Sequence, residues 1–372
     1  MRICLALWFS VAMGCGSPEQ RMAGALTAPV VYGTDDRVEV FDDPDPELRA
    51  IAEESIVALI PSFRISREPD GTYSLFTQSL ADLRGLCPDE LFGNQPTAAS
   101  CSGVLIDDDL VLTAGHCIDD HTPCTSYSYV FNYRLDAPNH LAAIRDEDVY
   151  SCARVFSRRD PSGDSYTPDF AVVQLDRPVE GALSPVSIRP AAPLSEQAPL
   201  TIIGFGSGLP AKIDSGGAVA DPRAEQLDFF IANVDTFQGH SGSATFDSRK
   251  QLAGILIGGR TPDYVTLEGE SCERVATFKD SQAGEVVHNI IPIVAALCAD
   301  GWDGGDLCQA KACEAQSCGV SVLPPSSGGS ASAQKSSGCS ASTRSTPSTG
   351  LLSAWLGLLL FVVARRFKRP VA

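Results

Sequence analysis

Tryptophan and methionine are scarce, with three of each in 372 residues. Thirteen cysteines are present, yet no Cys-x-x-Cys pair occurs, which argues against a zinc ribbon. Basic residues are also few. Lys and Arg number 28 against 46 Asp and Glu, a formal net charge of −18. That balance excludes nucleic acid as an expected partner, because phosphate contacts need a basic face. The acidic runs Asp42-Asp43-Pro44-Asp45 and Asp107-Asp108-Asp109 lack the spacing of a calcium loop and read as solvated turns. No internal repeat is evident, and nothing points to a metal or an organic cofactor. Neither terminal apolar run reaches the ~20 residues of a comfortable membrane-spanning helix.

What is present favours an all-β chain. Hydrophobic residues make up 44%, enough for a full core, and 32 Gly with 25 Pro supply turns. Short apolar or β-branched runs at 55–60, 101–106, 110–113, 171–175, 200–205 and 251–257 are each bounded by turn residues. Such spacing suits a sandwich or barrel rather than βαβ units. The stretch Glu285 to Leu297 has helical spacing, interrupted by Pro292, and is expected as one C-terminal helix.

The ends differ from the middle. Met1-Arg2 and the apolar run to Met13 make an expected signal peptide over 1–14. It closes on Ala12-Met13-Gly14-Cys15, similar to a bacterial lipobox, so Cys15 is a candidate for lipidation, with ordinary cleavage nearby as the alternative. Residues 15–50 read as an N-terminal extension or propeptide, 51–300 as the main globular domain, and 301–349 as a Cys-containing, Gly/Ser/Pro-rich stalk. Residues 350–372 combine a short apolar run with Arg365-Arg366-Phe367-Lys368-Arg369, the pattern of a C-terminal membrane anchor whose basic end stays cytoplasmic. With Gly338-Cys339 upstream, this end resembles the sorting tag of myxobacterial surface proteins. The expected location is therefore exported, at the cell envelope or surface or released from it. Dispersed cysteines behind a leader read as disulfides.

Three motifs carry the chemistry. Thr113-Ala-Gly-His116-Cys117, then Asp169 before Phe170-Ala-Val-Val, then Gly239-His-Ser241-Gly-Ser place His, Asp and Ser in one chain order. Serine is a weak nucleophile and needs a base, and an imidazole needs a carboxylate to orient it. His116, Asp169 and Ser241 are the candidates. Gly239 allows close backbone approach, so the N–H groups of Gly239 and Ser241 are candidates for an oxyanion hole. Cys101 and Cys117 bracket two strands, and a bridge between them would pin the His116 loop. Cys124–Cys152 is a second expected pair.

These motifs, with Val31-Tyr-Gly-Thr-Asp-Asp-Arg37, Cys101-Ser-Gly and Asp235-Thr-Phe, resemble trypsin-like serine endopeptidases, nearest the bacterial branch that includes glutamyl endopeptidases. The likeness covers roughly residues 30 to 300. It implies two perpendicular β-barrels with the triad between them, and protein or peptide substrates cut through an acyl-enzyme. Three positions depart from the pattern. His240 replaces the Asp that pairs with a new N-terminus in chymotrypsin-like members and the Asn usual in the bacterial branch. A charged His240 beside His116 would weaken catalysis, which leaves a protease-fold binding or surface-display protein as the alternative. Leu256 stands where glutamyl endopeptidases have a pocket His. Asp235 lies where trypsin has its pocket-floor Asp, and it reads either as an anchor for substrate Arg or Lys or as structural. Asp235, Thr236 and Leu256 are the pocket candidates.

Overall fold

The structure is a computed structural model, and it describes residues 31–159, 167–303 and 307–308. The expected signal peptide, Cys15, nearly all of the stalk and the C-terminal anchor lie outside the described residues. No helix among the described residues is long and apolar enough to cross a membrane.

Two seven-stranded sheets dominate. The first runs in the order Val149–Tyr150, Tyr127–Val130, Ile56–Pro61, Cys101–Asp107, Leu110–Thr113, Phe170–Leu175, Cys152–Arg159. The second runs Pro199–Gly204, Ala244–Asp247, Leu252–Gly258, Glu285–Asn289, Phe229–Ala232, Lys212–Asp221, Val38–Glu39. Pro199–Gly204 also pairs with Lys212–Asp221, so six strands of the second sheet close into a barrel. The first sheet curls into a barrel-like half. The six runs expected as strands are strands within a residue of their expected bounds, and the sheets add others, such as Tyr127–Val130, Cys152–Arg159 and Lys212–Asp221, that the sequence reading did not single out.

Side-chain alternation explains why these runs are apolar throughout. In Ile56–Pro61, Val57 and Leu59 point into the first barrel with Leu105, Val111, Tyr129 and Val173. The intervening Ile56, Ala58 and Ile60 face outward, but onto Phe205, Ile213, Phe246 and Ile255 of the second barrel. Successive strand residues point to opposite faces, so a strand covered on both faces reads as an unbroken apolar run. A third cluster, including Leu200, Phe230, Ala253 and Val287, fills the second barrel. The layer between the barrels is thus packed with buried apolar side chains, as their interiors are.

The C-terminal expectation needs correction. Glu285–Asn289 is a strand of the second barrel, and only Ile290–Ala299 is helical. Asn289 caps the helix by accepting the Ile291 N–H at 3.1 Å. Pro292 then falls in the first turn, where a missing N–H breaks no intrahelical bond. The helix packs Ile290, Ile293, Val294 and Leu297 into the layer between the barrels.

Residues 31–50, read from sequence as an extension or propeptide, are packed onto the domain. Val31–Tyr32 pairs with Thr277–Phe278, and Val38–Glu39 with Lys212–Ile213. The helix Pro46–Glu54 starts with Asp45 as cap and Pro46 at its first position, and it buries Leu48 and Ala52. Among the described residues, four disulfides join Cys87–Cys272, Cys101–Cys117, Cys124–Cys152 and Cys298–Cys308. Cys308, in the stretch read from sequence as a Cys-containing stalk, is tied to the C-terminal helix. Cys313 and Cys318 lie outside the described residues.

Candidate active site

His116 sits on a single turn, Gly115–Cys117, just after the strand Leu110–Thr113. The Cys101–Cys117 bridge fastens that turn to the start of the neighbouring strand. Gly115 is required there, since a Cβ would lie 2.1 Å from the Arg159 carbonyl oxygen and 2.9 Å from Asp169 Oδ1. The absence of that Cβ lets the carboxylate of Asp169, itself buried before Phe170–Leu175, reach the turn from below. Asp169 Oδ1 accepts the His116 backbone N–H at 2.9 Å, and Oδ2 lies 2.7 Å from His116 Nδ1. Both carboxylate oxygens therefore hold the same residue. With Nδ1 donating to the carboxylate, Nε2 presents its lone pair, and it lies 2.8 Å from Ser241 Oγ. The three residues expected from motif order converge in one chain of contacts.

The Ser241 turn is held from the other barrel. Gly239 and Gly242 have φ of +104° and +85°, a left-handed region that glycine enters freely. Ser102, fully buried on the first barrel, donates its N–H to Ser241 O at 2.8 Å and its hydroxyl to Gly239 O at 2.9 Å. Its Oγ also accepts the Phe205 N–H. Gly242 and Ser243 donate their N–H groups to Leu256 O and His240 O. The N–H groups of Gly239 and Ser241 donate to no acceptor among the described residues. Two backbone donors beside the hydroxyl are thus left for a ligand. Ser102 was visible in Cys101-Ser-Gly, but nothing in the sequence said that it bridges to the turn.

His240 does not face His116. It is 2% exposed, and its Nδ1 accepts the Phe237 N–H at 2.9 Å. Its ring fills the space over Gly206, where a Cβ would lie 2.3 Å from ring Cε1. Burial, then the charges of Arg37 and Lys212, push its pKa down to about 3. The expectation of a titrating cation beside the base is therefore corrected: His240 is a neutral strut.

Of the two readings of Asp235, its contacts match the structural one. It is buried, and its Oδ1 and Oδ2 accept the backbone N–H groups of Tyr32 and Asp36 at 2.8 and 3.2 Å. Its own N–H donates to Asp214 Oδ2. Burial and the neighbouring Asp214 raise the Asp235 pKa well above the carboxylate range. It faces the N-terminal segment and is absent from the lining of the cleft beside Ser241. That cleft, of about 620 Å³, is lined by Thr236, Leu256, Arg84, Arg260 and Asp263 along with His116 and Ser241. Thr236 donates its hydroxyl to Glu285 Oε2 at 2.5 Å. Glu285 is fully buried behind Gly259, and burial pushes its pKa up to about 7. It was missed in the sequence because it was read as the start of a helix. A possible ligand group of Cys87, Glu270 and Cys272 offers no thiolate, since the two cysteines are bridged.

Residues 101–255 match the family model of the trypsin-like peptidase domain. Among solved structures, the chain is similar to a Glu endopeptidase in complex with MPD, at 17% identity over 73% of this chain and 98% of that one, with a TM-score of 0.44. It is similar also to neuropsin, a serine protease expressed in the limbic system of mouse brain, at 18% identity over 54% and 88% of the two chains, with a TM-score of 0.40.

Proposed function

We propose that this chain, a serine endopeptidase built on a trypsin-like peptidase domain, cuts peptide bonds with Ser241 as nucleophile, His116 as base and Asp169 as its orienting carboxylate. The observation that carries the reading is the unbroken contact chain from Asp169 Oδ2 through His116 to Ser241 Oγ, at 2.7 and 2.8 Å. Ser241 Oγ attacks the scissile carbonyl while its proton passes to His116 Nε2. The imidazolium formed is stabilised by Asp169. Charge on the carbonyl oxygen is met by the free N–H groups of Gly239 and Ser241, a contribution of about 10²–10³ in rate for one such donor. His116 then protonates the leaving amine, and a water activated by the same nitrogen hydrolyses the acyl-enzyme. The neutral, inward-facing His240 removes the reason for treating the fold as a catalytically weak binding module.

The same reading places the enzyme outside the cytoplasm, at the envelope or released from it. Its support is the leader-like start, the four disulfides and the apolar-basic end. With Asp235 turned to the N-terminal segment, substrate Arg or Lys has no carboxylate waiting at that position, and side-chain preference falls to the walls, where Arg84, Arg260 and Asp263 stand beside Thr236 and Leu256. Treatment of the full chain with a fluorophosphonate tests the chemistry. The wild type should be labelled and proteolytic, and Ser241→Ala should be neither while remaining folded. Cleavage at the wild-type rate by Ser241→Ala would overturn the assignment. Intact mass of the protein recovered from cell fractions tests export, lipidation of Cys15 and loss of the C-terminal end.

A further inference from the structure

We propose that Arg37 is a positioning residue, whose buried guanidinium fixes the turn that presents Ser241 and the two free amide donors. The proposal rests on the role given above to that turn. Arg37 lies in a segment some two hundred positions away in sequence, yet its guanidinium carbon stands 3.9 Å from the centre of the Phe237 ring. It stands 5.0 Å from the Phe92 ring as well. Nε and Nη2 form a two-pronged pair with Asp35 at 2.8 and 2.6 Å, which fixes the guanidinium plane. The side chain is 2% exposed.

Stability alone is a poor reason for this arrangement. Nη1 is buried with no hydrogen-bond partner. A buried charge carries a desolvation penalty, and a well-packed apolar side chain in its place is often as stable or more so. A guanidinium held flat by a carboxylate does one thing an aliphatic chain cannot, which is to register an aromatic ring against a fixed plane. The ring registered here belongs to the residue that meets the turn. Phe237 donates its N–H to His240 Nδ1, and its carbonyl accepts the His240 N–H, both at 2.9 Å. His240 is the neighbour of Ser241. The position of the Phe237 ring is therefore passed through two hydrogen bonds to the peptide that carries the nucleophile.

The same segment grips the turn at its start. The N–H groups of Tyr32 and Asp36 hold Asp235, so residues 32–37 fasten both 235 and 237. The segment itself is anchored by strand pairing at Val31–Tyr32 and Val38–Glu39. Internal backbone amides and one guanidinium brace the turn from within the chain.

Arg37→Met and Arg37→Lys in the full chain test the inference, with kcat, KM, fluorophosphonate labelling rate and urea stability measured together. The expected result for Arg37→Met is a fall in kcat of roughly 10- to 100-fold with KM nearly unchanged, smaller than outright loss of an oxyanion donor. Arg37→Lys should recover little of it, because an ammonium has no plane to stack and no fork for Asp35. If stability falls but kcat and labelling rate per folded molecule stay at wild-type values, Arg37 is merely structural and the inference is overturned. Should Arg37→Met not fold, Phe237→Leu removes the ring while keeping apolar bulk, and it must show the same selective loss of kcat; an unchanged kcat overturns the inference equally. Wild-type protein that takes no label at Ser241 would defeat the underlying reading of the turn. A labelled wild type with an undiminished Arg37→Met defeats only the brace.

Discussion

Replacing His240 separates its volume from its hydrogen bond. Leucine conserves apolar bulk over Gly206 but has no acceptor for the Phe237 N–H, which lies 2.9 Å from Nδ1 in a site 2% open to solvent. Orphaning a buried donor costs about 1–3 kcal/mol. Asparagine keeps an acceptor oxygen but leaves part of the ring volume empty, a loss of about 1 kcal/mol. Urea denaturation near neutral pH should therefore rank wild type above Asn, and Asn above Leu. The turn beside Ser241 loosens in the same order, so kcat should fall in parallel. The pH dependence supplies a second, independent signature. Folded His240 titrates near 3, well below its unfolded value of about 6.5. Between those values the unfolded chain binds the extra proton, so the contribution of His240 to stability is complete above about 6.5 and is lost as pH falls towards 3. Both variants should lack this share of the acid-side loss. Glu285 acts in the opposite direction over part of the range. Its pKa is raised to about 7, so the stability it adds below its unfolded value is lost as pH rises through 7. Wild type and both variants share the Glu285 effect, and the difference between their curves isolates His240. Parallel stability curves for all three proteins from pH 7 to pH 4 would refute the buried neutral imidazole.

Three further substitutions bear on other parts of the site. Asp169→Asn keeps the shape but offers one acceptor where the native group offers two, and its amide favours the wrong His116 tautomer; kcat should drop by about 10⁴ with the fold intact. Asp235→Ser should lower urea stability by releasing the Tyr32 and Asp36 amides, and a peptide-library profile should show the same side-chain preference before the cut as wild type. A lost Arg or Lys preference would restore Asp235 to the pocket. Removing the Cys101–Cys117 bridge by a double alanine substitution opens a short loop across a separation of 16 residues. It should cost about 3 kcal/mol in chain-entropy terms, read from denaturation, and should loosen the His116 turn enough to slow labelling.

Six strands and the candidate residues His116, Asp169 and Ser241 were legible in the sequence for different reasons. Runs such as Ile56–Pro61 and Leu110–Thr113 are apolar on both faces, and bounding turns left them no other reading. His116, Asp169 and Ser241 each sit in a short local motif, so motif order was enough to collect the three side chains that the structure joins in one chain of contacts. What stayed hidden depends on contacts between distant segments. The direction of the Asp235 carboxylate is set by the amides of Tyr32 and Asp36, some two hundred residues upstream. The neutrality of His240 is set by its place over Gly206 and by the charges of Arg37 and Lys212. Glu285 was hidden by periodicity, because a strand running into a capped helix mimics one longer helix. Position-by-position likeness to a family could not decide between the two readings of Asp235, because the deciding contacts come from Tyr32 and Asp36.

The most direct test of the central claim is to locate the adduct. The full chain would be treated with a fluorophosphonate, digested, and mapped by mass spectrometry, with a urea-unfolded sample as control. One adduct per molecule is expected, on Ser241 within the peptide that holds Gly239 and Gly242, and none in unfolded protein, because only the folded chain sets His116 Nε2 at 2.8 Å from the hydroxyl. An adduct on another residue, or equal labelling of folded and unfolded chains, would contradict it.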